Sequence, residues 1–251
     1  MKSRRMIQSA LTAGLLALGL TGAPASHASV VIGGTRVIYN AKDRETTVKL
    51  TNEGKVPALT QAWLDNGDPK AAPSAINVPF TVTPPVARID PGKGQTLRII
   101  YTGEPLPQDK ESVFWLNVLE IPPKPSGDEI DANKLQLAFR TRIKFFFRPA
   151  GLKGEPGEAP ARLVWRLAQS GKQPALEARN PTPYHVSIVA VEVSGGGRTA
   201  KSEDGVMVGP GETKLFPLKG EVTSGPGSKV RYHALNDWGG SNDGDAQLSA
   251  P

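Results

Sequence analysis

Apolar residues in this chain recur in short runs of period two, and Gly, Pro, Asn and Asp clusters end each run within a few residues. Strict alternation places one row of side chains on one side of an extended backbone, and frequent chain reversal excludes a mainly helical bundle. Val48 and Leu50 alternate with Lys49 and Thr51, as do Leu97, Ile99 and Tyr101 with Arg98. The pattern predicts strands at Val30–Ile32 and at residues 37–39, 46–51, 58–64, 78–83 and 96–101. Two longer strands follow, Ser112–Ile121 and residues 135–147, joined as a hairpin through a Pro/Gly/acid-rich connection at 122–134.

Past Arg148-Pro-Ala-Gly151, residues 153–160 are rich in Gly, Pro and Glu and lack apolar periodicity. They read as a linker or hinge. Beyond it the alternation resumes at 163–167, 175–178, 185–193, Val206–Val208, Thr213–Pro217 and 229–234. Two blocks of about seven closely spaced strands each predict an all-β chain of two immunoglobulin-like β-sandwich domains, over residues 29–150 and 161–240 with 151–160 between them. Residues 241–251 carry Gly, Ser and Asp without apolar periodicity and are read as a disordered tail.

The first residues read differently. Lys2, Arg4 and Arg5 precede an apolar stretch through Leu11, Leu15, Leu16, Leu18 and Leu20, and small residues follow at Ala23, Ala25, Ser26 and Ala28. This is the pattern of a secretory signal peptide, residues 1–28, with cleavage expected after Ala28 and Ala25 as the competing site. Its removal takes three basic residues and no acidic one, so the formal charge falls from +6 to +3. No later apolar run is long enough to span a bilayer, so no membrane insertion is expected. The chain has no cysteine, which excludes disulfides, thiol nucleophiles and Cys-based metal sites.

Catalytic signatures are absent: there is no G-x-S-x-G, phosphate-binding G-x-x-x-x-G-K, dinucleotide fingerprint or H-E-x-x-H. Past Ala28 only His185 and His233 remain, each in a strand-like run and read as a packed or hydrogen-bonded residue. Asp237, Asp243 and Asp245 miss the spacing of a calcium loop. The chain is therefore expected to be no enzyme and to use no cofactor or metal.

The most informative stretch is residues 135–148. Alternation puts Leu135, Leu137, Phe139, Ile143, Phe145 and Phe147 on one face and Arg140, Arg142 and Lys144 on the other. About 13 residues at about 3.3 Å each can run the length of a sandwich domain. Two readings stand on pattern alone: six ordinary core residues, or an edge strand whose first apolar residues await a partner. Basic residues among phenylalanines can also mark a nucleic-acid surface. Export and the low mature charge argue against that, and a solvated basic face is the commoner reason for such alternation.

The segment Leu106-Pro-Gln-Asp-Lys-Glu-Ser-Val-Phe-Trp-Leu-Asn-Val-Leu-Glu-Ile-Pro-Pro123 resembles the signature of the periplasmic pilus (fimbrial) assembly chaperones of the chaperone-usher pathway. Further matching pieces follow in order: Thr35-Arg-Val-Ile-Tyr39, Gln61-Ala-Trp63, Thr83-Pro-Pro-Val86, Ile143-Lys-Phe-Phe-Phe-Arg-Pro149, Asn180-Pro-Thr-Pro-Tyr184 and Leu235-Asn-Asp-Trp-Gly-Gly240. The resemblance implies an L-shaped pair of sandwiches in the periplasm that binds, folds and caps pilin subunits by donor-strand complementation and delivers them to an outer-membrane usher. It implies that Arg36 and Lys144 anchor the subunit's C-terminal carboxylate, that Leu135, Leu137 and Phe139 enter the subunit's open groove, and that Glu111, Arg148 and Asp237 form an interdomain ion-pair network. The lack of cysteines implies the short-loop class that builds rod-like pili, although the 122–134 connection is longer than that class leads one to expect. An exposed edge also lets the free protein self-associate. The competing expectation is a secreted structural or adhesive sandwich protein at the cell surface.

Overall fold

A computed structural model describes residues 29–122, 137–223, 225 and 227–249. In the first domain the strands are β1 (Val30–Ile32), β2 (Arg36–Asn40), β3 (Thr46–Asn52), β4 (Ala58–Asp65), β5 (Phe80–Thr83), β6 (Val86–Ile89), β7 (Gly94–Tyr101), β8 (Ser112–Ile121) and β9 (Phe139–Arg148). They form two sheets, ordered β1-β3-β7-β5 and β2-β9-β8-β4-β6. The inward rows of both sheets merge into one core that includes Leu50, Leu97, Ile99, Leu116, Phe145 and Phe147. Phe80 sits at its centre, edge-on to Phe145 at 4.9 Å and to Phe114 at 5.0 Å. Such aromatic pairs contribute about 0.5–1.5 kcal/mol each beyond their area burial.

The N-terminal strand serves both sheets. β1 pairs with β3 in an antiparallel sense, whereas β2 pairs with β9 in a parallel sense. Between them Gly33 and Gly34 make the crossing. Gly33 donates its N–H to the Lys49 carbonyl and Gly34 donates back to Ile32. A Cβ at Gly33 would press on that Lys49 oxygen at 3.3 Å, so close backbone approach favours glycine there.

The second domain contains β10 (Val164–Ser170), β11 (Gln173–Arg179), β12 (Val186–Gly195), β13 (Arg198–Ser202), β14 (Val206–Val208), β15 (Thr213–Pro217), β16 (Lys219–Gly220), β17 (Lys229–Leu235) and β18 (Ser241–Gln247). One sheet runs β10-β11-β15 and the other β16-β13-β12-β17-β18, with β14 also on β12. Trp165, Phe216 and Leu176 lie fully buried between them.

Two sequence expectations are corrected. Residues 241–247 are not a disordered tail: they form β18, paired with β17 from Lys229↔Gln247 to Leu235↔Ser241. Pairing along β17 satisfies the backbone without an apolar row, and Gly244 leaves room for Tyr232, whose hydroxyl a Cβ would meet at 2.3 Å. Along the 151–160 linker and just past it, Pro156–Glu158 and Pro160–Arg162 form short 3-10 turns, and Ala159 is buried in the second core. The last strand of the first domain begins at Phe139, not at residue 135. Leu137 precedes the strand, and Leu135 lies outside the described residues.

Candidate functional site

Strand β9 organises the site. On one side it pairs with β8 along its length, from Phe139↔Glu120 to Phe147↔Ser112. On the other side β2 covers only its C-terminal half, from Arg36↔Lys144 to Asn40↔Arg148. Because the chain crosses to the other sheet at Gly33–Gly34, no described strand pairs with residues 139–143 on that side. The main-chain groups of that stretch are thus an open edge, one that can template another strand.

The faces of β9 divide as alternation requires. Phe145 and Phe147 are buried in the first core, Ile143 packs against it, and Phe139 and Thr141 are half-buried. Leu137, before the strand, is 50% exposed. So the C-terminal half of the apolar row is ordinary core, while the described residues of its N-terminal half are not.

The opposite face carries Arg140, Arg142, Lys144 and Phe146. The first two are not a freely solvated basic row. Arg142 binds the buried Asp65 carboxylate through Nε at 2.9 Å and Nη2 at 2.5 Å. Arg140 donates to Asn117 Oδ1 from both Nε and Nη2, at 2.9 and 2.6 Å. The Arg140 guanidinium lies over the Trp63 ring at 5.1 Å and that of Arg142 over the Trp115 ring at 4.6 Å. Residues Trp63 and Asp65 of β4 and Trp115 and Asn117 of β8 thereby hold the two arginines of the N-terminal half of β9 on the face away from the core. Their signal in the sequence is only two polar–aromatic pairs spaced by two residues, easily passed over.

Burial alone would raise the Asp65 carboxyl above its ordinary value near 3.8, but hydrogen bonds from Arg142, Asn117 and the Gly67 N–H outweigh it and hold the group lower. A carboxyl lowered by folding contributes stability that is fully present above its unfolded value and is lost as pH falls through the folded one. Urea titrations are therefore expected to show the protein losing stability from about pH 5 to about pH 2. Asp65→Asn should be less stable at neutral pH yet lose less over that interval. Equal losses in both proteins would contradict this role.

At the end of the open edge two cations meet. Arg36 and Lys144 occupy directly paired positions on β2 and β9. Lys144 Nζ reaches Ser187 Oγ at 3.2 Å, and Arg36 Nη1 reaches the Leu235 carbonyl at 3.5 Å. Neither makes a salt bridge among the described residues, and Arg36 Nε is buried without a hydrogen-bond partner. Burial lowers the pKa of Lys144, and repulsion from Arg36 lowers it further. Burial likewise lowers that of Arg36, only partly offset by attraction to Asp237. Two cations disfavoured by desolvation, Lys144 also by its neighbour, make a site that an anion would relieve.

Beside this pair Arg148 ties the domains together. It donates from Nε to Glu111 at 2.7 Å and from Nη1 and Nη2 to Asp237 at 2.7 and 3.0 Å. Glu111 also accepts from the His185 backbone N–H at 2.8 Å, with His185 Nδ1 at 3.2 Å. Glu111 and Arg148 belong to the first domain, His185 and Asp237 to the second. Burial works against the Arg148 charge, yet hydrogen bonds to Asp237 and Glu111 overrule it and raise its pKa. Among the described residues no group of three or more His, Asp or Glu side chains could hold a metal ion.

Residues 29–153 match the family described as "Pili and flagellar-assembly chaperone, PapD N-terminal domain", and residues 158–246 match "Pili assembly chaperone PapD, C-terminal domain". The chain is 49% identical over 242 residues to the chaperone protein FimB/FhaD of Bordetella pertussis, covering 94% of each chain. It is 46% identical over 225 residues to the probable fimbrial chaperone YadV of Escherichia coli K12, covering 89% of this chain and 91% of the relative. The solved structure of YadV superposes with a TM-score of 0.74 at 44% identity, over 88% of this chain and all of that one. A chain from the structure of the Salmonella enterica SafA pilin in complex with the SafB chaperone gives a TM-score of 0.72 at 28% identity, over 89% and 98% of the two chains.

Proposed function

Since the chain belongs to the family of pilus-assembly chaperones, we propose that the open edge of β9 and the Arg36–Lys144 pair are two parts of one surface for a pilin subunit. The carrying observation is their continuity: the unpaired row at Phe139–Ile143 runs directly into Lys144, with Arg36 alongside. Strand addition to an open edge, of which chaperone–pilin complementation is a known case, draws affinity from main-chain hydrogen bonds and specificity from alternate side chains.

Direction follows from the same geometry. A subunit whose terminal carboxylate sits at Lys144 and whose upstream residues lie beside Ile143 to Phe139 must run parallel to β9, in line with β2. The carboxylate accepts charge-assisted hydrogen bonds from the two cations, each contributing about 1.5–3 kcal/mol. Leu135, Leu137 and Phe139 provide the apolar anchors in the subunit's open groove, at about 1.5–3 kcal/mol for each side chain fully buried. Glu111, Arg148 and Asp237 hold the two domains in the orientation that keeps this cleft formed. No bond in the subunit is broken or made, and no nucleotide enters: the chaperone supplies a strand, and hand-over to an outer-membrane usher requires a competing strand to displace it. Residues 1–28 serve as the export signal to the periplasm, removed after Ala28.

The test is Phe139→Glu, with subunit co-expressed and complexes recovered from the periplasm. A charge directed into the apolar groove should cut recovery at least tenfold, while the Tm of the free protein changes little because Phe139 is only half-buried. A large fall in Tm, or undiminished complex, would instead place Phe139 among ordinary core residues.

A further inference from the structure

We infer that Trp238 is a specificity residue of the cleft, packing against the apolar side chain next to the carboxylate that Arg36 and Lys144 receive; this rests on the proposed function. Trp238 is 88% exposed. Single exposed apolar residues are ordinary on protein surfaces, but the setting of this one is not that of a loose loop tip. Asn236 Oδ1 accepts from the N–H groups of both Trp238 and Gly240, at 3.0 and 2.9 Å. Asn236 N–H donates to the Gly240 carbonyl and Gly239 N–H to the Asn236 carbonyl. The preceding residue, Asp237, is held by Arg148.

The turn is also pressed against the first domain. Gly239 has φ +81°, and a Cβ there would come within 2.2 Å of Thr35 Oγ1, next to Arg36. Trp238 and Arg36 line the same two cavities. One, of about 570 Å³, extends to Ile143 at the end of the open edge; the other, of about 300 Å³, extends to Phe146 and His185. An indole presented to water on a fixed backbone, sharing two cavities with Arg36, whose strand partner is Lys144, suits a chain terminus with a free carboxylate and an apolar last side chain; neither cation makes a salt bridge among the described residues. Little backbone freedom is left to lose on binding, and tryptophan in such a setting is a common energetic hot spot.

The chain's four tryptophans permit a direct test. Trp165 is fully buried and Trp63 and Trp115 are half-buried beneath arginines, so acrylamide quenching of the full-length mature protein reports chiefly on Trp238. The probe is a synthetic peptide of alternating threonine and valine with a free C-terminal carboxylate, made ending in leucine and ending in glycine, together with the leucine peptide as its C-terminal amide. The leucine acid should shield the indole from acrylamide and bind about tenfold more tightly than the glycine acid. Trp238→Ala should erase that preference and Trp238→Phe largely restore it. If the acid binds through Arg36 and Lys144 but the indole stays quenchable and the leucine preference survives in Trp238→Ala, the inference fails while the proposed function stands. If acid and amide bind equally, or neither binds, the carboxylate clamp fails and the inference falls with it.

Discussion

Lys144→Ala is expected to give a folded, exported protein that no longer recovers a pilin subunit from the periplasm, and Arg36→Ala to do the same. Each substitution removes one charge-assisted hydrogen bond to the carboxylate, which at about 1.5–3 kcal/mol costs roughly 10- to 150-fold in affinity. The expected loss is greater still, because in the proposed binding mode the clamp also sets the alignment of every upstream side chain. The sign of the effect on the free protein distinguishes a binding role from a structural one. Both cations are disfavoured by burial, and Lys144 also by its neighbour, so Lys144→Ala should leave thermal unfolding unchanged or slightly raise the Tm. Intact complex at normal yield from either variant would refute the anchoring role, and a marked drop in Tm would reassign the residue to the fold.

Arg148→Ala should behave in the opposite way, with a large loss of stability whether or not a subunit is present. Its guanidinium is the shared partner of Glu111, whose side chain is 2% exposed, and of Asp237. Truncation strands a buried carboxylate, and removing one member of a buried ion pair costs about 3–5 kcal/mol. The pairing spans the two domains, so the damage should include faster proteolytic cleavage at residues 151–160. Adding Glu111→Gln to Arg148→Ala should restore part of the lost stability by removing the stranded charge. If the double variant is no better than the single one, the cost lies in lost packing over Tyr184, which the guanidinium carbon faces at 5.5 Å from the ring centre.

Legibility in the sequence followed physical locality. β8 is delimited by its own residues, because an apolar row ends where Pro122 begins. β6 escaped pattern reading: it follows Pro84-Pro85 and only Ile89 of its four residues is buried. β18 is invisible to any hydrophobic rule, since its backbone is satisfied by β17 while its side chains are mostly polar and exposed. The site divides in the same way. The unusual length and two-faced character of β9 can be read from residues 135–148, but the meeting of Arg36 with Lys144 depends on a non-local parallel pairing that spacing does not encode. Family resemblance alone brought those two residues together before the fold was known. The Asp65–Arg142 and Asn117–Arg140 pairs lacked even that guide, because a buried acceptor beneath an apparently solvated arginine leaves no trace in alternation.

The crossing at Gly33–Gly34 has a consequence for how a client is measured. Had the first strand continued straight alongside β9, the sheet would have sealed itself. By leaving where it does, it sets aside a berth five residues long, Phe139 to Ile143, closed at one end by positive charge. A berth with a fixed stop works as a ruler, counting inward from the client's last atom. In the proposed binding mode, one residue added to or taken from that end would turn each side chain upstream of it to the wrong face, and a chain of suitable composition would be rejected merely because it terminates in the wrong place.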